Sequence, residues 1–247
     1  MGSNGQAINF EVQPIAGRIG AEILGVRLSG ELGSATVQAI RNALLEYKVI
    51  FFRQQTHQEE DSHGAFGRLL GELVSHPTVP SLKATEAVLN IDGTNGNRAI
   101  AWHMDVTFVD AYPQASILRA LVVPTRGGDT VWANTATAYK FLPPKLREIA
   151  DNLWAVHSNA YDYSVPSPNL KPEALRRYFE VFSSTVYETE NPLVRVHPET
   201  LERALVLGAF VQKFVDLPKA DSRHLFNLIQ SYRDPGREYS ALVMGGR

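Results

Sequence analysis

Residues 102–108 read Trp102-His103-Met104-Asp105-Val106-Thr107-Phe108. The β-branched and aromatic residues predict a strand. On a strand, His103 and Asp105 face the same side, roughly 6.6 Å apart at a rise of ~3.3 Å per residue. An imidazole nitrogen and a carboxylate oxygen so placed can converge on one metal ion. They form the local half of a two-histidine, one-carboxylate set, which leaves open positions on Fe(II). A His-x-Asp triplet is also common by chance, and an ordinary solvated pair is the competing reading. His57 and His63 lie in a polar helical stretch and read as solvated, and His224 on a helix face reads as structural.

Downstream lies Gly127-Gly128-Asp129-Thr130-Val131-Trp132-Ala133-Asn134. It reads as a turn entering a strand, with Thr130 either a routine β-former or a hydroxyl donor to a ligand carboxylate. Upstream, His76 precedes Pro77, which suits a turn histidine. Further out, residues 10–15 alternate as a strand and residues 49–52 form a short apolar run typical of a buried strand. Ser34 is placed to cap a helix over Ser34–Tyr47, with Val37, Ile40 and Leu44 on one face. A second helix covers 59–70, with Phe66, Leu69 and Leu70 inward. Residues 71–135 favour β. Pro143 or Pro144 opens a helix carrying Leu146, Ile149 and Leu153. Residues 158–172 are irregular and suit a lid. Asp221 can cap a last helix with Leu225, Leu228 and Ile229 on one face. The sum is mainly β with peripheral helices, an α+β or jelly-roll plan.

Composition fits that plan. The chain has 247 residues, 44% of them hydrophobic, with a net charge of −2. Such apolar content excludes intrinsic disorder. No basic excess exists to neutralise nucleic-acid or membrane phosphates. Cysteine is absent, which removes disulfides, thiolate metal sites and cysteine nucleophiles. No apolar run approaches the ~18 residues of a membrane helix, and no signal peptide is visible, so the expectation is a cytoplasmic protein.

Together, Trp-His-x-Asp-Val-Thr-Phe at 102–108, the Tyr112-Pro113 segment ending in Ile117-Leu118-Arg119, and Gly-Gly-Asp-Thr-Val-Trp-Ala-Asn-Thr at 127–135 resemble the taurine dioxygenase family of Fe(II)/2-oxoglutarate dioxygenases. Further matches are Gly17-Arg18-Ile19-Gly20, Lys48-Val49-Ile50-Phe51-Phe52-Arg53, Ser75-His76-Pro77-Thr78 and Val194-Arg195-Val196-His197-Pro198. The likeness runs from about residue 9 to 230. Trp154-Ala155-Val156-His157-Ser158-Asn159 and Ser184-Thr185-Val186-Tyr187-Glu188 point to the alkylsulfatase branch. The resemblance implies one dioxygenase domain over 1–247 with a double-stranded β-helix (cupin-like jelly-roll) core. It implies His103 and Asp105 as iron ligands and Thr130 as a 2-oxoglutarate-binding residue. His76 would contact a sulfate or sulfonate, Val106 would line the substrate site, and the segment after Asn159 would be the lid. Fe(II), 2-oxoglutarate and O2 are the implied cofactors, and a small anionic organosulfur compound is the implied substrate. No nucleic-acid or membrane partner is implied, and a homo-oligomer is compatible. A sulfonate or aryloxyalkanoate dioxygenase is the alternative within the class, and an inactive remnant lies outside it.

Residues 231–247 depart from the family pattern. At that point the family carries Trp-Asp-Asn-Arg, a distal histidine that is the third iron ligand, and arginines that hold 2-oxoglutarate. None of these follows here, so the core is expected to be C-terminally truncated. Met244-Gly245 necessarily encodes tryptophan when read one nucleotide later, so the tail reads as a frameshift. Weak iron binding, low activity and exposed apolar faces are the expected consequences.

Overall fold

The computed structural model describes residues 10–56, 60–83, 85, 87–91, 98–99, 101–123, 125–160, 164–165, 173, 176, 180–233 and 241–244. They fall into two compact units. Unit 1 takes its described residues from Met1–Leu73, Arg119–Asn134 and Asp234–Arg247, and unit 2 from Val74–Leu118 and Thr135–Arg233.

In unit 1, β1 (Glu11–Pro14) and β2 (Ala21–Leu24) form an antiparallel hairpin, and β3 (Ile50–Phe51) adds to β2 in parallel. Between β2 and β3 runs α1 (Ser34–Tyr47). Its span is the predicted one, but its N-cap is Gly33 and no side chain caps it. Ser34 is therefore the first helical residue rather than the cap. Lys48 ends the helix in the left-handed region at φ 66°, its N–H donating to the Leu44 carbonyl. The amphipathic face of α1 buries Ile40 against Leu28 and Phe66 of α2 (Glu60–Leu70). Phe52, Leu69 and Leu70 pack around them, the arrangement that a 3.6-residue apolar period dictates. Thr130 opens β5 (Thr130–Ala133), which pairs antiparallel with β12 (Ala241–Met244) in the register Thr130↔Met244. Trp132 of β5 meets Phe51 edge-on at 5.6 Å, and the Asn134 amide donates to the Arg18 carbonyl at 2.8 Å.

Unit 2 is built on a three-stranded antiparallel sheet in the order β11-β6-β8, where β6 is Trp154–Ser158, β8 is Glu188–Pro192 and β11 is Val211–Phe214. Beside it β9 (Val194–Val196) pairs with β10 (Arg203–Leu205), and β4 (Arg98–Ala99) pairs with β7 (Ser164–Val165). Helices α3 (Thr135–Phe141), α4 (Pro144–Asp151) and α5 (Lys219–Gln230) complete the unit. One core joins Tyr139, Leu142, Ala155, Leu193, Leu205, Leu207, Phe214 and Ile229. A second, aromatic core joins Phe108, Phe182 and Phe210, with Val79, Val106, Val109 and Tyr187 at its margin.

Several local expectations change. Among the described residues of 71–135, strand is confined to β4 and β5 and the rest is turn or irregular backbone. α4 leaves Ile149 exposed, and α5 begins after Pro218 with Leu228 exposed, so Asp221 lies in the first turn instead of capping it. His224 is exposed on α5, while His63 lies on α2. His57 and most of the 158–172 segment fall outside the described residues. Leu118, Leu121 and Val122 of the mostly aliphatic stretch 117–123 are 63%, 70% and 90% exposed, and no described strand includes it. No helix among the described residues is long and apolar enough to cross a membrane.

Candidate active site

The segment around His103 is not the predicted strand. Residues 102–104 have no regular secondary structure, and residues 105–108 lie in turns, with the Val109 N–H donating to the Val106 carbonyl at 3.2 Å. Val106 takes φ 58° there. A β-branched residue in the left-handed region is a conformation that costs about 1–3 kcal/mol, and such residues cluster at functional sites. In this turn the Asp105 Oδ1 lies 3.4 Å from His103 Nε2.

The electronics of this pair are specific. His103 Nδ1 lies 3.0 Å from the Ala101 carbonyl. A carbonyl only accepts, so Nδ1 carries a hydrogen. Nε2 then meets the carboxylate oxygen as a lone pair or as an imidazolium N–H. Two lone pairs at that separation repel, so a proton or a cation belongs between them. Two cis ligands at ~2.1 Å from a first-row metal stand about 3 Å apart, close to the observed spacing. Ser116 donates to Asp105 Oδ2 at 2.8 Å, leaving Oδ1 toward the histidine. This pattern, in which each ligand is oriented by its own hydrogen bond, is how protein metal ligands are held. The His103 imidazole, helped by the Ser116 hydroxyl, holds the Asp105 carboxyl below the usual carboxylate range despite partial burial. The pair thus fits two ligands of a divalent ion. Among the described residues, no group of three His, Cys, Asp or Glu side chains is placed to hold a metal.

His76 is fixed with equal care. Its Nδ1 accepts from the backbone N–H of Thr78 at 3.2 Å and of Val79 at 3.0 Å. The Thr78 hydroxyl donates to the Phe182 carbonyl at 3.0 Å, and that carbonyl also accepts from the buried Asn159 amide. The imidazole packs against Phe182 at 5.8 Å and Phe108 at 6.2 Å between ring centroids. Burial pushes its pKa down, opposed by the charge of Asp105. With Nδ1 an acceptor, the neutral ring carries its proton on Nε2. His76 is therefore an N–H donor in its neutral form, close enough to the Asp105 carboxylate to sense its charge.

In unit 2 the structure brings His76, His103, Asp105 and Val106 into one neighbourhood. Thr130 is exposed at the first position of β5 in unit 1. Ser116 and the Ala101 carbonyl carry no sequence signal as orienting groups. Ser116 lies within the Tyr112–Arg119 part of the recognised pattern, but nothing in its spacing from Asp105 announces the contact.

The sequence pattern of the family described as "Taurine catabolism dioxygenase TauD, TfdA family" matches residues 11–241. Over 226 residues the chain is 58% identical to an alpha-ketoglutarate-dependent sulfate ester dioxygenase of Pseudomonas putida, covering 92% of this chain and 75% of that protein. It is 52% identical over 221 residues to an alkylsulfatase of Acinetobacter baylyi, covering 90% and 70%. The crystal structure of a taurine dioxygenase from Burkholderia xenovorans superposes with a TM-score of 0.72 at 32% identity, over 96% of this chain and 76% of that one. The chain belongs to the TauD, TfdA dioxygenase family.

Proposed function

We propose that this chain is an Fe(II)- and 2-oxoglutarate-dependent dioxygenase acting on sulfate esters. The reaction hydroxylates the carbon that bears the sulfate, and the product falls apart to an aldehyde and sulfate. 2-Oxoglutarate leaves as succinate and CO2. The observation that carries the reading is the convergence of His103 Nε2 and Asp105 Oδ1, each oriented by its own hydrogen bond. The 52–58% identity to sulfate ester-cleaving relatives supports the substrate class.

In this reading His103 and Asp105 hold Fe(II), which when bound supplies the site where O2 is activated at the expense of 2-oxoglutarate. Ser116 and the Ala101 carbonyl keep the two ligands in the binding rotamer. Thr130 donates its hydroxyl to a carboxylate of 2-oxoglutarate. The His76 Nε2–H donates to a sulfate oxygen, and Val106 lines the adjoining wall. Because neutral His76 already donates, anion binding does not require its protonation. The polypeptide has a jelly-roll core and works in the cytoplasm on a small anionic organosulfur compound, and a homo-oligomer is compatible with this.

Incubating the protein with Fe(II), 2-oxoglutarate, O2 and hexyl sulfate should give succinate and sulfate in equal amounts but slowly, because the family resemblance assigns only His103 and Asp105 as iron ligands here and, among the described residues, no third His, Cys, Asp or Glu joins them. Failure to form succinate, with no Mn(II) binding in the presence of 2-oxoglutarate, would sink the reading. Succinate formation driven by taurine and not by alkyl sulfates would move the substrate to the sulfonates.

A further inference from the structure

Three buried polar residues, Thr107 in the ligand-bearing turn and His157 and Asn191 against it, are not predicted ligands. Thr107, His157 and Asn191 are 2%, 1% and 6% exposed. They form one cluster: Thr107 Oγ1 lies 2.9 Å from His157 Nδ1, and the Asn191 amide donates to the Thr107 carbonyl at 2.9 Å. The sheet explains their meeting. β6 and β8 pair Ala155↔Asn191 and His157↔Thr189, and paired or alternate residues share one face. From that same face Thr189 donates to Asp110 Oδ1 at 2.7 Å. At the other end of the segment, the Ala209 N–H donates to the Trp102 carbonyl at 2.9 Å. Gly208 leaves no room beside His103: a Cβ there would lie 2.8 Å from the His103 Cα and 3.2 Å from the Met104 nitrogen. The segment 102–110 is thus gripped at both ends by one sheet and its loop.

Packing alone does not call for these residues. A buried polar side chain is unfavourable unless paired, and His157 Nε2 is buried without a partner among the described residues. An aliphatic residue would fill that space more cheaply. What the polar cluster supplies is direction, because it bonds a turn whose Val106 is in a strained conformation. We infer that Thr107, held by His157 and Asn191, is a positioning residue that sets the separation of His103 Nε2 and Asp105 Oδ1 for a divalent metal ion. The inference rests on the metal-site reading above.

The test compares the full chain with Thr107→Val and Thr107→Ser, reading Mn(II) affinity with saturating 2-oxoglutarate from the electron paramagnetic resonance of free Mn(II). Thr107→Val should weaken Mn(II) binding by about 10- to 100-fold, the range found for residues that orient metal ligands. Thr107→Ser restores the hydroxyl and should stay within about threefold of the parent. Amide hydrogen exchange should quicken across 101–110 in Thr107→Val and stay unchanged in α1, which shows a folded variant. Where Thr107→Val does not fold, Asn191→Ala, which strips the Thr107 carbonyl of its donor, should lower affinity in the same direction. Equal Mn(II) affinity in parent and Thr107→Val, or a Thr107→Ser variant as weak as Thr107→Val, overturns the inference alone. A parent that binds no Mn(II) overturns the metal-site reading and the inference with it.

Discussion

Two stretches of equal length have opposite fates. Residues 102–108 carry His, Asp and Thr among aromatic and aliphatic side chains, and Thr107 and Phe108 are almost wholly buried. Residues 117–123 are nearly all aliphatic, yet Val122 is 90% exposed. Hydrophobicity alone would have placed them the other way round. The first stretch has a sheet face, a glycine loop and an aromatic core built around it, while the second lacks a described strand beside it. Burial is decided by what the rest of the chain brings to a segment, and polarity is tolerated inside wherever partners are supplied.

The largest test of this contrast is acidification. Burial pushes the His157 pKa down from the usual 6.5 to about 4. The folded state therefore prefers the neutral ring, and its contribution is fully present above about pH 6.5 and lost as pH falls through 4. The difference corresponds to about 3 kcal/mol. Urea midpoints of the parent should fall more steeply between pH 6.5 and 4 than those of His157→Gln; parallel curves would show that His157 is not buried as described.

Next in size is Gly208→Ala. Its Cβ meets backbone, which cannot swing aside, so a loss of about 1–3 kcal/mol is expected. Thermal melts should show it, and a melting temperature equal to the parent's would mean that the loop does not press on His103. Smaller again is Ser116→Ala, which frees Asp105 Oδ2. About tenfold weaker Mn(II) binding, the lower end for such oriented ligands, should appear in a titration, with thermal stability little changed because Ser116 is exposed. The smallest effect belongs to the exposed stretch. Val122→Lys should shift stability by less than about 0.5 kcal/mol while raising the concentration at which light scattering reports aggregation. A clearly destabilised variant would place Val122 against something.

Much of this was legible beforehand, for identifiable reasons. α1 was readable to its limits because its apolar spacing is a local signal, although the cap fell to Gly33 rather than Ser34. His103 and Asp105 were readable as a pair, and their pairing survived the loss of the strand that first justified it. The turn itself was hidden, because nothing in the sequence of a valine announces a positive φ. Gly208 and Asn191 were hidden for another reason: each acts on residues far away in sequence, and only the register of β6 on β8 or the path of the 207–210 loop brings them there. His76 was recognisable from the family pattern, but not its tautomer, which depends on two backbone N–H groups aimed at one nitrogen.

The pairing of β5 with β12 has a kinetic consequence. Thr130 stands opposite Met244, with the whole run of Thr135–Arg233 between them in the chain. During synthesis, unit 2 can emerge and begin to pack before the strand that completes the edge beside Thr130 exists. Contacts so distant in sequence form slowly, and a waiting strand edge is open to other chains meanwhile. The proposed 2-oxoglutarate-binding threonine thus sits on a strand edge that closes late in folding.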